Sequence, residues 1–293
     1  MTAPLTRVDV DANGLRFAAL AAGPESGPLA LCLHGFPDAA PTWRYLLPAL
    51  GAAGFRAVAP WMRGYAPTAV PADGRYQMGA VVADAEALHQ ALGGDDRAVL
   101  IGHDWGAVAA YGIASFEPSR WRRVVTAAVP PAPAVGAGLL SYDQLKRSFY
   151  IWLFQTPLAE FAVAANDLEF VDRLWADWSP GYDAADDLPA VKEALRDPAN
   201  LAAAIGYYRA AVGTTAPDPA LEREQAALAL TPPQPTLYLH GERDGCMGVE
   251  LAASAGDFLA PGSRVELVAD AGHFLHVEQP DVVNRLILDW VTA

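Results

Sequence analysis

Cysteine is almost missing from this chain: there are two in 293 residues, Cys32 and Cys246, far apart in sequence. Cys32 lies in an apolar run, so a buried thiol is expected rather than a bridge. The two cysteines form no ligand cluster along the chain and the histidines are scattered, so no metal or organic cofactor is expected. Positive charge is also short. The formal net charge is −14, which argues against a nucleic-acid partner or an anionic membrane surface and reads as solubility. Charged residues make up only 18% of the chain and hydrophobic ones 53%, a balance that excludes a disordered polymer and allows a large core in one or two domains. No apolar run is long and unbroken enough to span a bilayer. Residues 1–11 alternate in polarity without the apolar core of a secretory signal, so a cytoplasmic protein is expected. Internal repeats and low-complexity tracts are absent as well.

What is there is rhythm. Residues 7–10 and 15–21 read as two strands joined by a turn at Asn13-Gly14. Short apolar runs at 29–33, 57–59, 98–102 and 124–129 read as strands buried on both faces. Between them Val82, Ala85, Leu88 and Leu92 recur at helical spacing, and 105–114 reads as another helix. Alternating strands and helices predict an α/β architecture, a mostly parallel sheet with helices on both sides. The rhythm breaks at Pro130-Pro131-Ala132-Pro133, with Gly136 and Gly138 close behind. From 141 to 227 the pattern is helical and aromatic with no strand. A second proline-rich stretch, Thr231-Pro232-Pro233-Gln234-Pro235, precedes strands at 236–240 and 264–268 and a closing helix at 281–291. The expected organisation is a sheet domain of residues 1–130 and 229–293, with residues 131–228 as a helical cap inserted between two proline-rich hinges.

Chemistry concentrates at Gly102-His103-Asp104-Trp105-Gly106. This has the G-x-S-x-G form of a nucleophile elbow, with aspartate in place of serine. A serine must lose a proton to attack; a carboxylate is already an anion at neutral pH. Attack by a carboxylate on an acyl carbon gives a mixed anhydride, a poor intermediate for hydrolysis. Attack on a saturated carbon bearing a leaving group gives an ordinary ester, which water can cleave. The motif therefore points to an epoxide or a carbon–halogen bond.

Candidates follow in the order Asp104, Asp244, His273, each just beyond an expected strand, which is the nucleophile–acid–histidine order of α/β-hydrolases. His273 is the expected general base for the hydrolytic half-reaction, and Asp244 is expected to orient it and stabilise the imidazolium. Asp270 is too close along the chain to reach across to His273, Glu242 reads as a solvated turn residue, and residues 129–139 contain no carboxylate. After the run at 29–33 comes His34-Gly35-Phe36-Pro37-Asp38. A loop there can aim the Phe36 backbone N–H beside that of Trp105, and the two would form an oxyanion hole for the ester carbonyl of Asp104. His34, His103 and His276 read as structural. The leaving-group side decides between epoxide and halide, because an opening epoxide needs an O–H donor such as a tyrosine. The aromatic stretch offers Tyr142, Tyr150, Tyr182, Tyr207 and Tyr208, and composition does not choose among them.

These pieces, with Thr42-Trp43-Arg44 and Arg63-Gly64-Tyr65, make the chain resemble the α/β-hydrolase-fold epoxide hydrolases over nearly its whole length. The resemblance implies the α/β-hydrolase fold with its helical cap, a small apolar epoxide as substrate and a vicinal diol as product. Tyr150 precedes Phe154-Gln155-Thr156-Pro157 at the spacing of the family's first cap tyrosine, and Tyr208-Arg209 resembles the second. The resemblance therefore implies that Tyr150 and Tyr208 polarise the epoxide oxygen. Neighbours on a helix point about 100° apart, so only one of Tyr207 and Tyr208 faces the pocket. Phe36, Trp105, Trp152, Phe154 and Phe274 are the expected pocket walls. The chain departs from the family at Trp61-Met62, where many relatives carry an aspartate shortly before Arg-Gly-Tyr; that position is away from the expected chemistry.

Two other readings stand beside this one. A haloalkane dehalogenase would use the same nucleophile, with the Trp105 indole N–H as one halide donor. Its second donor is often an asparagine at the Phe36 position, which phenylalanine cannot replace, although Trp152, Trp175 or Trp178 could. Fluoroacetate-type dehalogenases are similar too, but they usually carry arginine where this chain has Trp105. A ligand-binding protein that has lost catalysis would usually lack a triad member, and none is missing. Monomer and homodimer are both compatible with the sequence.

Overall fold

The computed structural model describes residues 4–213 and 216–293. Residues 1–3, at the head of the alternating N-terminal stretch, and 214–215, inside the expected cap, lie outside them. The strands are β1 (Thr6–Ala12), β2 (Leu15–Ala22), β3 (Leu29–Leu33), β4 (Arg56–Pro60), β5 (Ala98–His103), β6 (Trp121–Ala127), β7 (Thr236–Gly241) and β8 (Arg264–Val268). The helices of the sheet layers before the insertion are α1 (Leu46–Ala52), α2 (Met78–Ala91) and α3 (Trp105–Phe116). The insertion contributes α4 (Ala132–Gly138), α5 (Tyr142–Arg147), α6 (Phe149–Leu153), α7 (Ala159–Trp178), α8 (Leu188–Leu195) and α9 (Pro198–Val212). The chain then forms α10 (Glu222–Ala227), α11 (Val249–Ala252), α12 (Leu275–Glu278) and α13 (Pro280–Thr292).

The strands form one eight-stranded sheet in the order β1-β2-β4-β3-β5-β6-β7-β8. β2 pairs antiparallel with both β1 and β4, and every other pairing is parallel. The apolar runs are continuous because the strands are buried on both faces. Leu29, Leu31 and Leu33 of β3 join the core under α2 and α3. The residues between them, Ala30 and Cys32, join the opposite core under α1 and α13. From β3 the chain steps to β4 on one side, then crosses to β5 on the other. That reversal opens a crevice at the carboxyl ends of β3 and β5, where ligands bind in open α/β sheets. This is the α/β-hydrolase fold with a helical insertion from α4 to α9.

Two stretches differ from expectation. The strand expected at 124–129 runs from Trp121 to Ala127 instead and ends where Ala128 turns to a φ of 68°. The stretch read as a hinge at 130–138 folds partly into α4, with Pro133 in its first turn. Proline costs nothing there, because the first N–H groups of a helix have no internal partner. Near the other end, α10 falls within the expected 131–228 cap but lies on the sheet layers: the Gln225 side chain accepts from Gly79 N at 2.9 Å, at the start of α2. Helix α7 is interrupted at Ala165–Leu168, where Asn166, Asp167 and Leu168 take positive φ. Among the described residues no helix is long and apolar enough to cross a membrane.

Candidate active site

Asp104 sits at the turn from β5 into α3 with φ 52° and ψ −118°, a conformation that side chains rarely adopt and that marks stored strain. The turn is tight: a Cβ on Gly106 would stand 2.1 Å from the Leu33 carbonyl oxygen, so only glycine lets α3 start against β3. The Asp104 carboxylate is lifted above the sheet ends, where its Oδ1 accepts from the Phe36 backbone N–H at 2.8 Å. Gly35 makes that approach possible, since a Cβ there would lie 2.2 Å from the same Oδ1. Trp105 is the first residue of α3, so its N–H has no intrahelical acceptor.

Two more strand ends complete the arrangement. His273, after β8, places Nδ1 2.9 Å from Asp244 Oδ2 and Nε2 3.6 Å from Asp104 Oδ2. Asp244, after β7, receives N–H groups from Cys246 at 2.7 Å and Met247 at 2.8 Å on its other oxygen. The His273 ring is fully buried. Burial opposes its charge, but the Asp244 carboxylate, its hydrogen bond to the ring and the nearby Asp104 carboxylate prevail, and the pKa is pushed up to about 10. Burial works against the Asp244 charge too, and the neighbouring His273 still holds its pKa below the ordinary carboxylate value.

The other histidines behave as supports. His34 Nε2 accepts from Met62 N at 3.0 Å, so its Nδ1–H donates to the Gly35 carbonyl at 2.9 Å. This holds the Phe36 loop, and the Trp61-Met62 departure sits on that support. His103 lies behind His273 and bonds its carbonyl through Nε2 at 2.9 Å. His276 pairs with the Thr42 hydroxyl. Burial pushes the His34 pKa down to about 4 and that of His103 down to about 3, which keeps both neutral. Asp270 and Glu242 are exposed turn residues.

The insertion closes over this frame. A cavity of about 420 Å³ lies between sheet and insertion, with Asp104, Trp105, Tyr150 and Tyr208 on its wall. The Tyr150 hydroxyl is 3.5 Å from Cys246 Sγ. The Tyr208 hydroxyl and the Trp105 indole nitrogen are buried without a hydrogen-bond partner among the described residues. Tyr207 points elsewhere, donating from its hydroxyl to the Arg63 carbonyl at 3.0 Å. Burial pushes the pKa of Tyr150 and of Tyr208 well up, so both phenols keep their protons. The expected wall needs correction at Trp152, which is 46% exposed and off the cavity. Tyr150 and Phe154 are four residues apart and share the inward face of α6, and two residues along a helix is the opposite side. Phe36, Phe154 and Phe274 are fully buried and form a layer behind the wall. Phe36 and Phe154 pack edge-on to Tyr208.

The sequence reading missed the carboxyl end of α7. The Trp178 carbonyl accepts both Gly245 N at 3.0 Å and His273 N at 2.9 Å, tying the Asp244 loop to the His273 loop. Ser179 Oγ accepts from Phe274 N at 3.1 Å and donates to Glu278 at 2.6 Å, while Glu278 accepts from Gly272 N at 2.8 Å. The Trp175 indole donates to the Pro37 carbonyl at 2.8 Å and stacks on Phe274 at 3.5 Å. The one local signal is Ser179-Pro180, a helix stop. Nor are the histidines and cysteines scattered in space. Asp38, His103 and His276 form one buried group, and Asp104, Cys246 and His273 another, each with its three ligand-type atoms within 4.8 Å of one another. Separation along the chain hides this because β5, β7 and β8 end at the same edge of one sheet, with β6 alone between β5 and β7.

Residues 28–280 match the family described as alpha/beta hydrolase fold. Human epoxide hydrolase 4 is 32% identical over 289 residues, covering 96% of this chain and 76% of that protein. The AB hydrolase superfamily protein YfhM of Bacillus subtilis is 30% identical over 287 residues, covering 96% of each. The crystal structure of epoxide hydrolase A from Mycobacterium thermoresistibile superposes with a TM-score of 0.81 at 25% identity, over 99% of both chains.

Proposed function

This chain belongs to the α/β-hydrolase family that includes these relatives, and from that premise we propose that it is an epoxide hydrolase forming a vicinal diol through an ester on Asp104. The observation that carries the reading is two tyrosine hydroxyls, one of them unpartnered, on the wall of the apolar cavity that also holds the Asp104 carboxylate. On this reading the insertion from α4 to α9 caps the sheet domain, and α10, expected in a cap of residues 131–228, belongs with the sheet layers instead. Asp104 Oδ2 attacks an oxirane carbon from the side opposite its C–O bond, and that bond breaks as the ester forms. Tyr150 and Tyr208 donate to the departing oxygen, which leaves as a hydroxyl. Water then attacks the Asp104 ester carbonyl, giving its proton to His273. The carbonyl oxygen is Oδ1, already held by Phe36 N–H, and the Trp105 N–H is the second donor to the oxyanion. Collapse passes the His273 proton to the departing Oδ2, the acid proton left on Asp104 restores the tyrosine that gave up its own, and the diol leaves carrying the old Oδ2.

A haloalkane dehalogenase is the second reading, favoured by the unpartnered Trp105 indole N–H. For the second donor, the Trp175 indole is committed to Pro37 and Trp152 is turned outward, which leaves Trp178, packed against Tyr150 and His273. A non-catalytic binding protein would have no use for a strained elbow.

One experiment separates these readings. A panel of aryl and alkyl oxiranes and haloalkanes is scored for diol and for free halide, with wild type, Asp104→Ala and a Tyr150→Phe/Tyr208→Phe double variant. Diol is expected from wild type alone; losing one positioned donor typically costs about a hundredfold or more in rate. Halide without diol would install the dehalogenase. In one turnover in heavy-oxygen water, label is expected in Asp104 before it reaches product; label passing straight to product would remove the ester.

A further inference from the structure

The Asp104, Cys246 and His273 group has the composition of a zinc site. His273 Nδ1 is bonded to Asp244 Oδ2 at 2.9 Å, the carboxylate–histidine arrangement that fixes a metal-ligating imidazole in place. Its other nitrogen, Nε2, is fully buried and has no hydrogen-bond partner among the described residues. That atom looks onto Asp104 Oδ2 at 3.6 Å, and one ligand-type atom from each of Asp104, Cys246 and His273 lies within 4.8 Å of the other two. An ion bonded tetrahedrally at roughly 2.0–2.3 Å holds its ligand atoms about 3.3–3.8 Å apart, so the nitrogen–oxygen pair is already spaced for one. The fourth position faces the cavity, beside the Tyr150 hydroxyl that touches Cys246. A sulfur ligand selects a borderline-soft cation over magnesium or calcium.

We propose that Asp104, Cys246 and His273 form a binding site for a single zinc ion, which shuts the enzyme down reversibly by occupying its nucleophile and its base together. Binding releases the Cys246 thiol proton, and the His273 Nε2 proton where present, to solvent; nothing is oxidised or reduced. The ion binding stands on this geometry alone, and the inhibition rests on the functional reading above.

The test uses chelator-treated full-length protein, isothermal titration with zinc chloride, and cobalt(II) as an optical probe. One zinc per chain is expected, with a thiolate-to-cobalt charge-transfer band. Cys246→Ala should remove that band and weaken zinc binding by more than about tenfold, the loss typical when even an outer partner of a metal ligand is removed. Asp104→Asn, which keeps the side chain's shape, should weaken binding too, and circular dichroism confirms that each variant is folded. Absence of stoichiometric zinc, absence of the band, or wild-type affinity in both variants would overturn the site. Zinc bound at one per chain without competition against an epoxide would overturn the inhibition, and neither binding measurement depends on diol formation.

Discussion

His273 lies between two carboxylates, and a buried imidazole so placed keeps its proton far above the ordinary value of 6.5, to about 10. A protonated imidazole is no base. The proposed ester step supplies the remedy, because it erases the charge on Asp104 and leaves Asp244 as the one carboxylate partner. Nuclear magnetic resonance titration of His273 should therefore find a lower midpoint in Asp104→Asn than in wild type. An unchanged midpoint would mean that Asp244 alone sets it. The sign carries over to stability. A pKa raised on folding contributes stability that is fully present below 6.5 and lost as pH rises towards 10, so the wild-type melting temperature should fall across that window more than that of His273→Gln. At this scale the meeting of Asp104, Asp244 and His273 was legible, because a rare residue pattern marks each of them in sequence. Sequence could not choose between Tyr207 and Tyr208, because helical phase is set by the partner surface. Here Arg63 offers its carbonyl to one hydroxyl, and the cavity takes the other.

The carboxyl end of α7 does for the loops what no loop residue does for itself. Ser179 joins Phe274 N to Glu278, and Glu278 holds Gly272 N, so the two residues flanking His273 are pinned from one helix end. Ser179→Ala leaves a buried amide and a carboxylate oxygen without their partner, at a cost of about 1–3 kcal/mol. Urea unfolding should register that loss, and single-turnover kinetics should show ester hydrolysis slowed more than ester formation. Equal slowing of both steps would assign the serine to stability alone. Elements like this are poorly legible in sequence. The insertion read as helical from end to end, but its boundaries were hidden. The break in α7 at Asn166-Asp167-Leu168 has no glycine or proline to announce it, and Trp152 could be placed outward only once α6 had ends.

Across the molecule, the central strands were legible because residues buried on both faces, as in β3, β5 and β7, must be apolar throughout. Their order was not, since any two such strands can pair, and it is the order that brings β3, β5, β7 and β8 to one edge of chemistry. The cavity reaches outward along Pro130, Pro131 and Gly136 on one side and Leu230, Thr231 and Pro232 on the other. A Cβ on Gly136 would meet nothing within 4 Å, so Gly136→Trp can fill this passage without disturbing the fold. It should lower kcat/KM for long-chain epoxides by about tenfold or more, a penalty of about 1.4 kcal/mol, and spare the smallest ones. Equal kcat/KM losses for epoxides of every length would place the passage elsewhere.

One peptide oxygen, at Trp178, clasps the loops of Asp244 and His273 to the roof above them. Raising that roof would unfasten the machinery it shelters, so traffic has to go sideways, between the two proline-bearing crossings. Any change that stiffens or slackens them alters at once how large a guest is admitted and how long it stays.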